Sequence, residues 1–134
     1  MQKLIDQLKR HEGIRLKPYK CTEGKLTIGY GRNLEDVGIS QAEADQMLMN
    51  DILKIEEQII RKIPVFHELS LNRQNVLINM GFNLGVNGLL RFKKMIAALE
   101  DGNFVIAADE MDDSRWSRQV SSRADELSSQ MIDG

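Results

Sequence analysis

The segment EGIRLKPYKCTEGKLTIGYGR, residues 12–32, contains the change in hydrophobic pattern from which the architecture of this chain follows. Before it, the apolar residues of MQKLIDQLKRHE recur at helical spacing, which predicts an amphipathic helix over residues 2–12 that ends at Gly13. Within it, the strand-forming runs RLKPYK and KLTIGYG flank the polar turn CTEG, which predicts a hairpin with Pro18 on an edge strand. A helix is therefore followed directly by a small β region.

Two glycines, Gly29 and Gly31, alternate with larger residues in the second half of this hairpin. Glycine within a strand is typical of a bulge or of a position that a ligand or another chain segment approaches closely. Either interpretation places open space beside the neighbouring Thr27. The spacing does not match a phosphate-binding loop.

The remainder of the chain has helical signals. Ser40 and Glu43 form the capping pattern S-x-x-E ahead of a long helix that runs to Pro64. Beyond Pro64 we predict a helix that Ser70 caps and that continues through residue 82, another over 89–99, and three short helices capped by Asn103, Ser114 and Ser122. Seven methionines lie mostly within these patterns, which favours core packing.

Composition and charge limit the classes of function. The 134 residues, 42% of them hydrophobic, fit one compact domain. A formal net charge of -2 and a pI near 5.7 argue against nucleic-acid binding. Residues 1–35 contain eight lysines and arginines against four acidic residues. On charge alone, this excess is more typical of a solvated face than of a site for an anionic polymer.

Apolar runs of the length that a membrane span needs are missing from the sequence, so we expect no stable membrane insertion. The N-terminal MQKLIDQLKRHEG also lacks the apolar region of a signal peptide, which predicts synthesis in a cytoplasm without an export address. The single cysteine, Cys21, has no partner for an intrachain disulfide. It is therefore either an inert thiol or a reactive one.

Glu12, Cys21 and Thr27 are the best candidates for chemistry, because a short connection brings the helix end close to the hairpin. The negative end of the helix dipole disfavours a charged Glu12, which suits a proton donor. Cys21 can then serve as base or nucleophile, and Thr27 can hold a water or an intermediate. By spacing alone, a surface acid, a small turn residue and an ordinary strand residue are the more typical interpretation. The two histidines lack metal-ligand spacing, so no metal or cofactor is expected.

The segment 12–32 resembles the signature of the T-even type of phage lysozymes, also called endolysins or muramidases. That signature is a Glu-Gly at the end of the first helix, a hairpin with the second catalytic position, and a TIGxG ribbon. The resemblance continues through INMGFNLG at 78–85, FKKM at 92–95 and SRWSRQVSSRADEL at 114–127. It covers nearly the whole chain in one order, which makes it far more specific than any single motif.

The resemblance implies an α+β, lysozyme-like fold in a single domain, residues 1–134. A small N-terminal β-sheet lobe with the long connecting helix is expected at about residues 13–60, and a larger helical lobe at about 61–134. The helix over residues 2–12 is expected to pack on the helical lobe. A cleft between the lobes would hold the glycan.

The resemblance also implies a bacteriolytic, antimicrobial glycosidase that cuts the β-1,4 bond between N-acetylmuramic acid and N-acetylglucosamine in bacterial cell-wall peptidoglycan. Glu12 matches the general acid of the family, Thr27 the threonine that places the attacking water, and Arg123 an arginine that pairs with the acid. Contacts with sugar are expected, by position, at Asn33, Phe82, Asn83, Met95 and Glu110.

Cys21 departs from the T-even pattern, which has aspartate there, although other members of the wider family have cysteine. A thiol of ordinary pKa is mostly neutral at pH 7 and is a poor base. Three roles stay open: a thiolate that activates water, a thiolate that attacks the sugar, or a bystander that leaves the task to Glu12, Thr27 or Glu23. The first two require cations that lower the pKa, for which the candidates are Lys20, Lys25 and Arg32. Arg32 replaces a histidine of the T-even enzyme, which we expect to affect stability more than chemistry.

Three functions remain as hypotheses. The leading one is a monomeric phage endolysin that lyses its host, made in the host cytoplasm and released to the cell wall in the periplasm through a holin pore. A lytic transglycosylase is the alternative, favoured by the missing second carboxylate at Cys21. The third is an inactive wall-binding module, which the joint presence of Glu12, Thr27 and Arg123 disfavours.

Overall fold

The computed structural model describes all residues 1–134 as eight α-helices, one 3₁₀ helix and one antiparallel sheet. The sheet has the order β1-β2-β3, with β1 at Arg15–Lys20, β2 at Leu26–Gly29 and β3 at Arg32–Asn33. The helices are α1 Gln2–Glu12, α2 Gln41–Lys62, the 3₁₀ helix Pro64–Glu68, α3 Leu71–Leu84, α4 Val86–Leu90, α5 Lys93–Glu100, α6 Phe104–Asp112, α7 Arg115–Gln119 and α8 Ser121–Asp133. The predicted α+β class, a small N-terminal sheet with a larger helical part, is confirmed. None of the helices combines the length and the apolar character needed to cross a membrane.

The chain divides into two compact units, residues 1–47 and residues 48–134. The first unit contains α1, the sheet and the start of α2, and the second contains the rest of α2 and all later helices. The predicted lobe limits near residue 60, and the packing of the helix over residues 2–12 on the helical lobe, concern how the two units meet and stay predictions.

The first unit follows the predicted helix and hairpin. The helix α1 ends at Glu12, and the next residue, Gly13, has a φ of 68° and donates its N–H to the carbonyl of Lys9. Pro18 lies in β1, an edge strand whose register with β2 is irregular around it. Proline has no backbone N–H to donate to a neighbouring strand, so an edge strand with irregular pairing suits Pro18. The short strand β3 was not predicted.

The predicted capping pattern at the start of α2 is confirmed, and both of its reciprocal hydrogen bonds are present. The N–H of Glu43 donates to the hydroxyl of Ser40 at 3.1 Å, and the N–H of Ser40 donates to a carboxylate oxygen of Glu43 at 2.9 Å. Two backbone donors that the helix itself cannot satisfy are thereby paired.

The hydrophobic core lies in the second unit and is formed by side chains from α2 through α8. Four of the seven methionines are fully buried in it, which agrees with the predicted packing role: Met80, Met95, Met111 and Met131. Trp116 is also buried, and its ring meets that of Phe92 edge-on at 6.0 Å between centroids.

Two predicted helix limits in this unit are wrong. The predicted single helix over residues 89–99 is two helices, because α4 ends at Leu90, the chain turns at residues 91–92 and α5 begins at Lys93. Phe92 in this turn is the residue whose ring packs against Trp116. The predicted cap Ser122 already lies inside α8, which begins at Ser121 without a side-chain cap. Asn103 and Ser114 cap α6 and α7 as predicted.

Candidate active site

Glu12 ends α1, and its side chain lies against the loop that joins β2 to β3. Its Oε2 atom is 3.1 Å from the point that a Cβ atom would occupy at Gly31, which has a φ of +84°. Any other residue at Gly31 would press on this carboxylate and would also adopt a strained backbone conformation. The close approach expected from the glycine pattern is therefore made by the side chain of Glu12.

Thr27 is buried at the centre of the small sheet. With 3% of its surface exposed, it is the one buried residue of the first unit. It pairs with Tyr19 in β1 and with Asn33 in β3, so both of its edges are covered by neighbouring strands. Its hydroxyl donates to the carbonyl of Lys25 at 2.8 Å.

Cys21 occupies the turn between β1 and β2, which the backbone closes around it. Its N–H donates to the carbonyl of Lys25 at 2.9 Å, and its carbonyl accepts from the N–H of Gly24 at 2.8 Å. Hydrogen bonds to the sulfur from the backbone N–H groups of Lys25 and Glu23 hold the pKa of Cys21 below its ordinary value, and the hydroxyl of Thr27 adds to this effect. Partial burial and the negative charge of Glu23 oppose it.

The cause of this pKa shift differs from the one expected, because two of the three candidate cations face acidic side chains. Arg32 is bound to Glu43, and Lys25 places its Nζ atom 3.4 Å from Asp36. Backbone dipoles of the turn stabilise the thiolate where side-chain cations had been expected. Fixed N–H groups need no reorganisation when the thiol loses its proton, which makes the turn a suitable holder for a thiolate.

The hydroxyl of Thr27 donates its proton to the carbonyl of Lys25, and its presence also helps to lower the pKa of Cys21. The same carbonyl accepts a hydrogen bond from the N–H of Cys21. Thr27 and Cys21 therefore share the carbonyl of Lys25 as an acceptor.

Arg32 and Glu43 join β3 to the start of α2. The two terminal nitrogens of Arg32 each donate to one carboxylate oxygen of Glu43 at 2.8 Å, and one of them also donates to the carbonyl of Gly38 at 3.1 Å. The guanidinium, with help from the N–H and hydroxyl of Ser40, lowers the pKa of Glu43 to about 2. In turn, Glu43 raises the pKa of Arg32. The sequence predicted Glu43 only as part of a helix cap. Its pairing with Arg32, eleven residues away, was not predicted.

Asn33, a predicted sugar contact, is held in a local turn. Its amide nitrogen donates to a carboxylate oxygen of Asp36 at 3.0 Å, and its amide oxygen accepts the N–H of the same residue at 3.0 Å. Both ends of the amide therefore stabilise the loop after β3. A contact with sugar at Asn33 stays a prediction, and the amide keeps a second N–H and a second lone pair for it.

Three of the other predicted sugar contacts, Phe82, Met95 and Glu110, line two surface cavities of the second unit. Phe82 is about half exposed and lines a cavity of about 360 Å³ together with Arg123, Asn75 and Asn79. An exposed aromatic ring beside amides and a guanidinium has the groups that stack on and hydrogen-bond to a sugar. The predicted pairing of Arg123 with Glu12 joins residues of different units and stays a prediction.

Glu110 and Met95 line the second cavity, of about 680 Å³, whose other groups include Trp116 and the basic residues Lys93 and Lys94. Met95 is fully buried, so contact with sugar would require it to become accessible. Asn83 accepts a hydrogen bond of 2.8 Å from the indole nitrogen of Trp116, which gives it a packing role that the sequence did not reveal. Sugar binding by these three residues, Asn83, Met95 and Glu110, stays a prediction.

Comparison with known proteins shows that this chain is similar to lysozymes and to a phage endolysin. The family described as phage lysozyme matches residues 9–130. A probable T4-type lysozyme of Dictyostelium discoideum is 30% identical over 91% of this chain and 89% of that protein. An endolysin of Acyrthosiphon pisum secondary endosymbiont phage 1 is 31% identical over 83% of this chain and 75% of that protein. The pre-baseplate central spike protein of Enterobacteria phage T4 is 28% identical over 98% of this chain, which spans 28% of that protein.

Proposed function

This chain belongs to the phage lysozyme family, and from that premise we propose that it is a muramidase of bacterial peptidoglycan. Family membership and the endolysin relatives support a peptidoglycan hydrolase in general. We propose more narrowly that it hydrolyses the β-1,4 bond from N-acetylmuramic acid to N-acetylglucosamine. We further propose that this cleavage lyses a bacterial host.

One observation carries this proposal: the carboxylate of Glu12 lies against Gly31, in the loop that leaves the strand containing Thr27. The candidate acid and the candidate water-holding residue are thereby connected through a single tight loop. The turn of Cys21 is joined to the other end of the same strand. Such a connection fixes all three groups on one small unit, which suits a reaction that needs a donor and an acceptor of protons at set positions.

In the proposed mechanism, Glu12 gives its proton to the oxygen that links the two sugars, and the bond from this oxygen to the anomeric carbon breaks. A water held by the hydroxyl of Thr27 attacks the anomeric carbon and passes a proton to the thiolate of Cys21. The hydrogen bonds that lower the pKa of Cys21 favour its ionised form, which the proposed role as a base requires. The products are a reducing N-acetylmuramic acid end and a new hydroxyl on the leaving sugar.

Binding of the glycan is proposed to use residues of both units. Asn33 belongs to the first unit, and Phe82, Asn83, Met95 and Glu110 belong to the second. Arg123 is proposed to offset the unfavourable helix dipole at Glu12 by its positive charge. No metal or other cofactor takes part in this mechanism.

A lytic transglycosylase is the second candidate, because Cys21 stands where a second carboxylate would activate water. Such an enzyme needs one acid-base carboxylate, since a hydroxyl of the substrate itself attacks the anomeric carbon. A wall-binding module without turnover is the third candidate and would make Glu12 dispensable.

Mass spectrometry of the fragments released from purified peptidoglycan separates these candidates. In water enriched in ¹⁸O, a muramidase gives reducing N-acetylmuramic acid ends that contain one heavy oxygen, and a transglycosylase gives anhydro-muramic ends without it. Glu12→Gln is the matched variant, and we expect it to lower the rate by about a hundredfold or more. A folded wild-type protein that releases no fragment would overturn both enzymatic functions.

We propose that the protein is synthesised in the host cytoplasm as a monomer and reaches the periplasmic face of the wall through a holin pore. Similarity to a phage endolysin supports this route. Cells that produce the protein should therefore stay intact until their inner membrane is permeabilised, and then lyse. Lysis without permeabilisation would overturn this route while leaving the enzymatic proposal in place.

A further inference from the structure

Three consecutive residues, Tyr30, Gly31 and Arg32, join two elements around the candidate acid: the first two contact α1, and Arg32 contacts the start of α2. We propose that these residues form a positioning segment that sets the location of the Glu12 carboxylate. The inference rests on the proposed function, in which Glu12 is the proton donor. None of the three residues is assigned a chemical step.

Gly31 makes the direct contact. Oε2 of Glu12 is 3.1 Å from the Cβ position at Gly31, and the Cδ and Cγ atoms follow at 3.6 and 4.0 Å. The side chain of the acid therefore runs along the backbone of the loop. This arrangement requires glycine at position 31 for two reasons: the carboxylate leaves no space for a Cβ atom, and the backbone has a φ of +84°. A methyl group at Gly31 must move the carboxylate by a few tenths of an ångström or more.

Tyr30 attaches the same loop to α1. The Nζ atom of Lys9 lies 5.5 Å from the centre of the Tyr30 ring, within the range of a cation–π contact. Lys9 precedes Glu12 by three residues, so both side chains belong to one face of α1. The helix end is therefore in contact with two successive residues of the loop.

Arg32 attaches the loop to a second element, the start of α2. Its two hydrogen bonds of 2.8 Å to Glu43 and its bond to the carbonyl of Gly38 fix the guanidinium at three points. Bidentate pairs of this kind restrict orientation as well as distance. Because Arg32 directly follows Gly31, a shift of Arg32 would move the backbone against which Glu12 rests.

Proton transfer is sensitive to such shifts, since a displacement of about 1 Å costs on the order of a hundredfold in rate. We therefore expect changes in the positioning segment to lower kcat more than they raise KM. They should also alter the alkaline limb of the pH–rate profile, where a general acid loses its proton, because the surroundings of Glu12 change. A residue that only stabilises the fold would alter neither of these when measured on folded protein.

The first test compares Gly31→Ala with Gly29→Ala. Both glycines have positive φ, +84° and +70°, but a Cβ at Gly29 meets no atom within 4 Å. Both variants therefore suffer similar backbone strain, and only Gly31→Ala presses on Glu12. On protein that circular dichroism shows to be folded, we expect kcat to fall by about tenfold to a hundredfold for Gly31→Ala and by less than about threefold for Gly29→Ala. Equal losses in both variants would overturn the inference.

The second test concerns Arg32, whose hydrogen bonds attach the loop to the start of α2. Arg32→Gln should lower kcat by about tenfold, and Arg32→Lys, which keeps the charge but loses the bidentate geometry, should restore only part of it. Arg61→Gln is the matched control, because it removes a surface arginine that pairs with Glu57 in the second unit. The inference predicts no change in kcat for this control. An unchanged kcat in Arg32→Gln would contradict the anchoring role.

A readout that does not need turnover keeps the inference separate from the proposed function. In NMR spectra of the wild-type protein, a nuclear Overhauser effect should join the Hα protons of Gly31 to the Hγ protons of Glu12. We expect this signal to weaken in Arg32→Gln and to persist in Arg61→Gln. If it is absent from the wild type, the positioning segment is wrong. If it behaves as expected while peptidoglycan stays intact, the geometry holds and the proposed function fails.

Discussion

Arg32 and Glu43 form a bidentate ion pair that also serves as the cap of a helix. The carboxylate of Glu43 accepts two hydrogen bonds from the guanidinium at 2.8 Å and one from the N–H of Ser40 at 2.9 Å. One side chain therefore joins the end of the small sheet to the first turn of α2. In this unit, where Thr27 is the one buried residue, polar contacts of this kind have to replace an apolar core.

Acid should destabilise the protein through Glu43. Its pKa is about 2 in the folded protein and near 4.5 when unpaired, so the unfolded chain binds the proton first as the pH falls. The stabilisation is fully present above about pH 4.5 and is lost as the pH falls through about 2. Thermal unfolding of the wild type between these pH values should show a steeper loss of Tm than unfolding of Glu43→Gln. Parallel curves would contradict the pairing seen in the structure.

Removal of the Thr27 hydroxyl should raise the pKa of Cys21. In Thr27→Val the thiolate loses one of its hydrogen-bond donors, while the backbone N–H groups of Lys25 and Glu23 remain. The rate of alkylation by iodoacetamide follows the thiolate fraction, so its midpoint should move to higher pH. Thr27→Ser keeps the hydroxyl and should keep the wild-type midpoint. The same midpoint in Thr27→Val would disprove the contact with sulfur.

Substitution of Cys21 tests whether the thiolate acts as the base. Cys21→Asp supplies a carboxylate that is ionised from about pH 4 upward, so we expect activity within about tenfold of the wild type and an acidic limb shifted to lower pH. Cys21→Ser supplies no base at neutral pH and should lose about a hundredfold in kcat. Both variants are measured on purified peptidoglycan. Full activity in Cys21→Ser would make the thiol a bystander.

Asn83 should contribute to stability through Trp116. In Asn83→Leu the buried indole N–H loses its acceptor, which should lower the free energy of unfolding by about 1–3 kcal/mol. Asn83→Asp keeps an oxygen at this position and should lose less. Urea unfolding followed by the fluorescence of Trp116 measures both variants. If Asn83→Leu is as stable as the wild type, the hydrogen bond has no net effect.

Local structure followed well from local sequence patterns. The span of α1, the hairpin, the capping pattern of Ser40 and Glu43 and the caps of α6 and α7 were all predicted, because each depends on residues within a few positions of one another. The prediction of one helix over residues 89–99 was wrong, because the local pattern gave no sign of the turn at residues 91–92. Phe92 in that turn packs edge-on against Trp116, which lies in a helix far along the chain.

The helix end and the hairpin singled out Glu12, Cys21 and Thr27 as candidates, and resemblance in several ordered motifs identified the family, which is confirmed. The sequence alone could not give their surroundings. The approach of Glu12 to Gly31, the bond from Trp116 to Asn83 and the ion pair of Arg32 with Glu43 join residues that no periodic pattern relates.

The cause of the lowered pKa of Cys21 was likewise not predictable from the sequence, although all the groups involved lie in a single turn. The sequence shows cations nearby, and these were the expected cause of a lowered pKa. The folded turn instead aims the N–H groups of Lys25 and Glu23 at the sulfur. Charge can be counted from residue types, but the direction of a backbone dipole exists only once φ and ψ are fixed. For this protein, patterns of residue type specify the elements and the family, and the folded backbone specifies the electrostatics of the site.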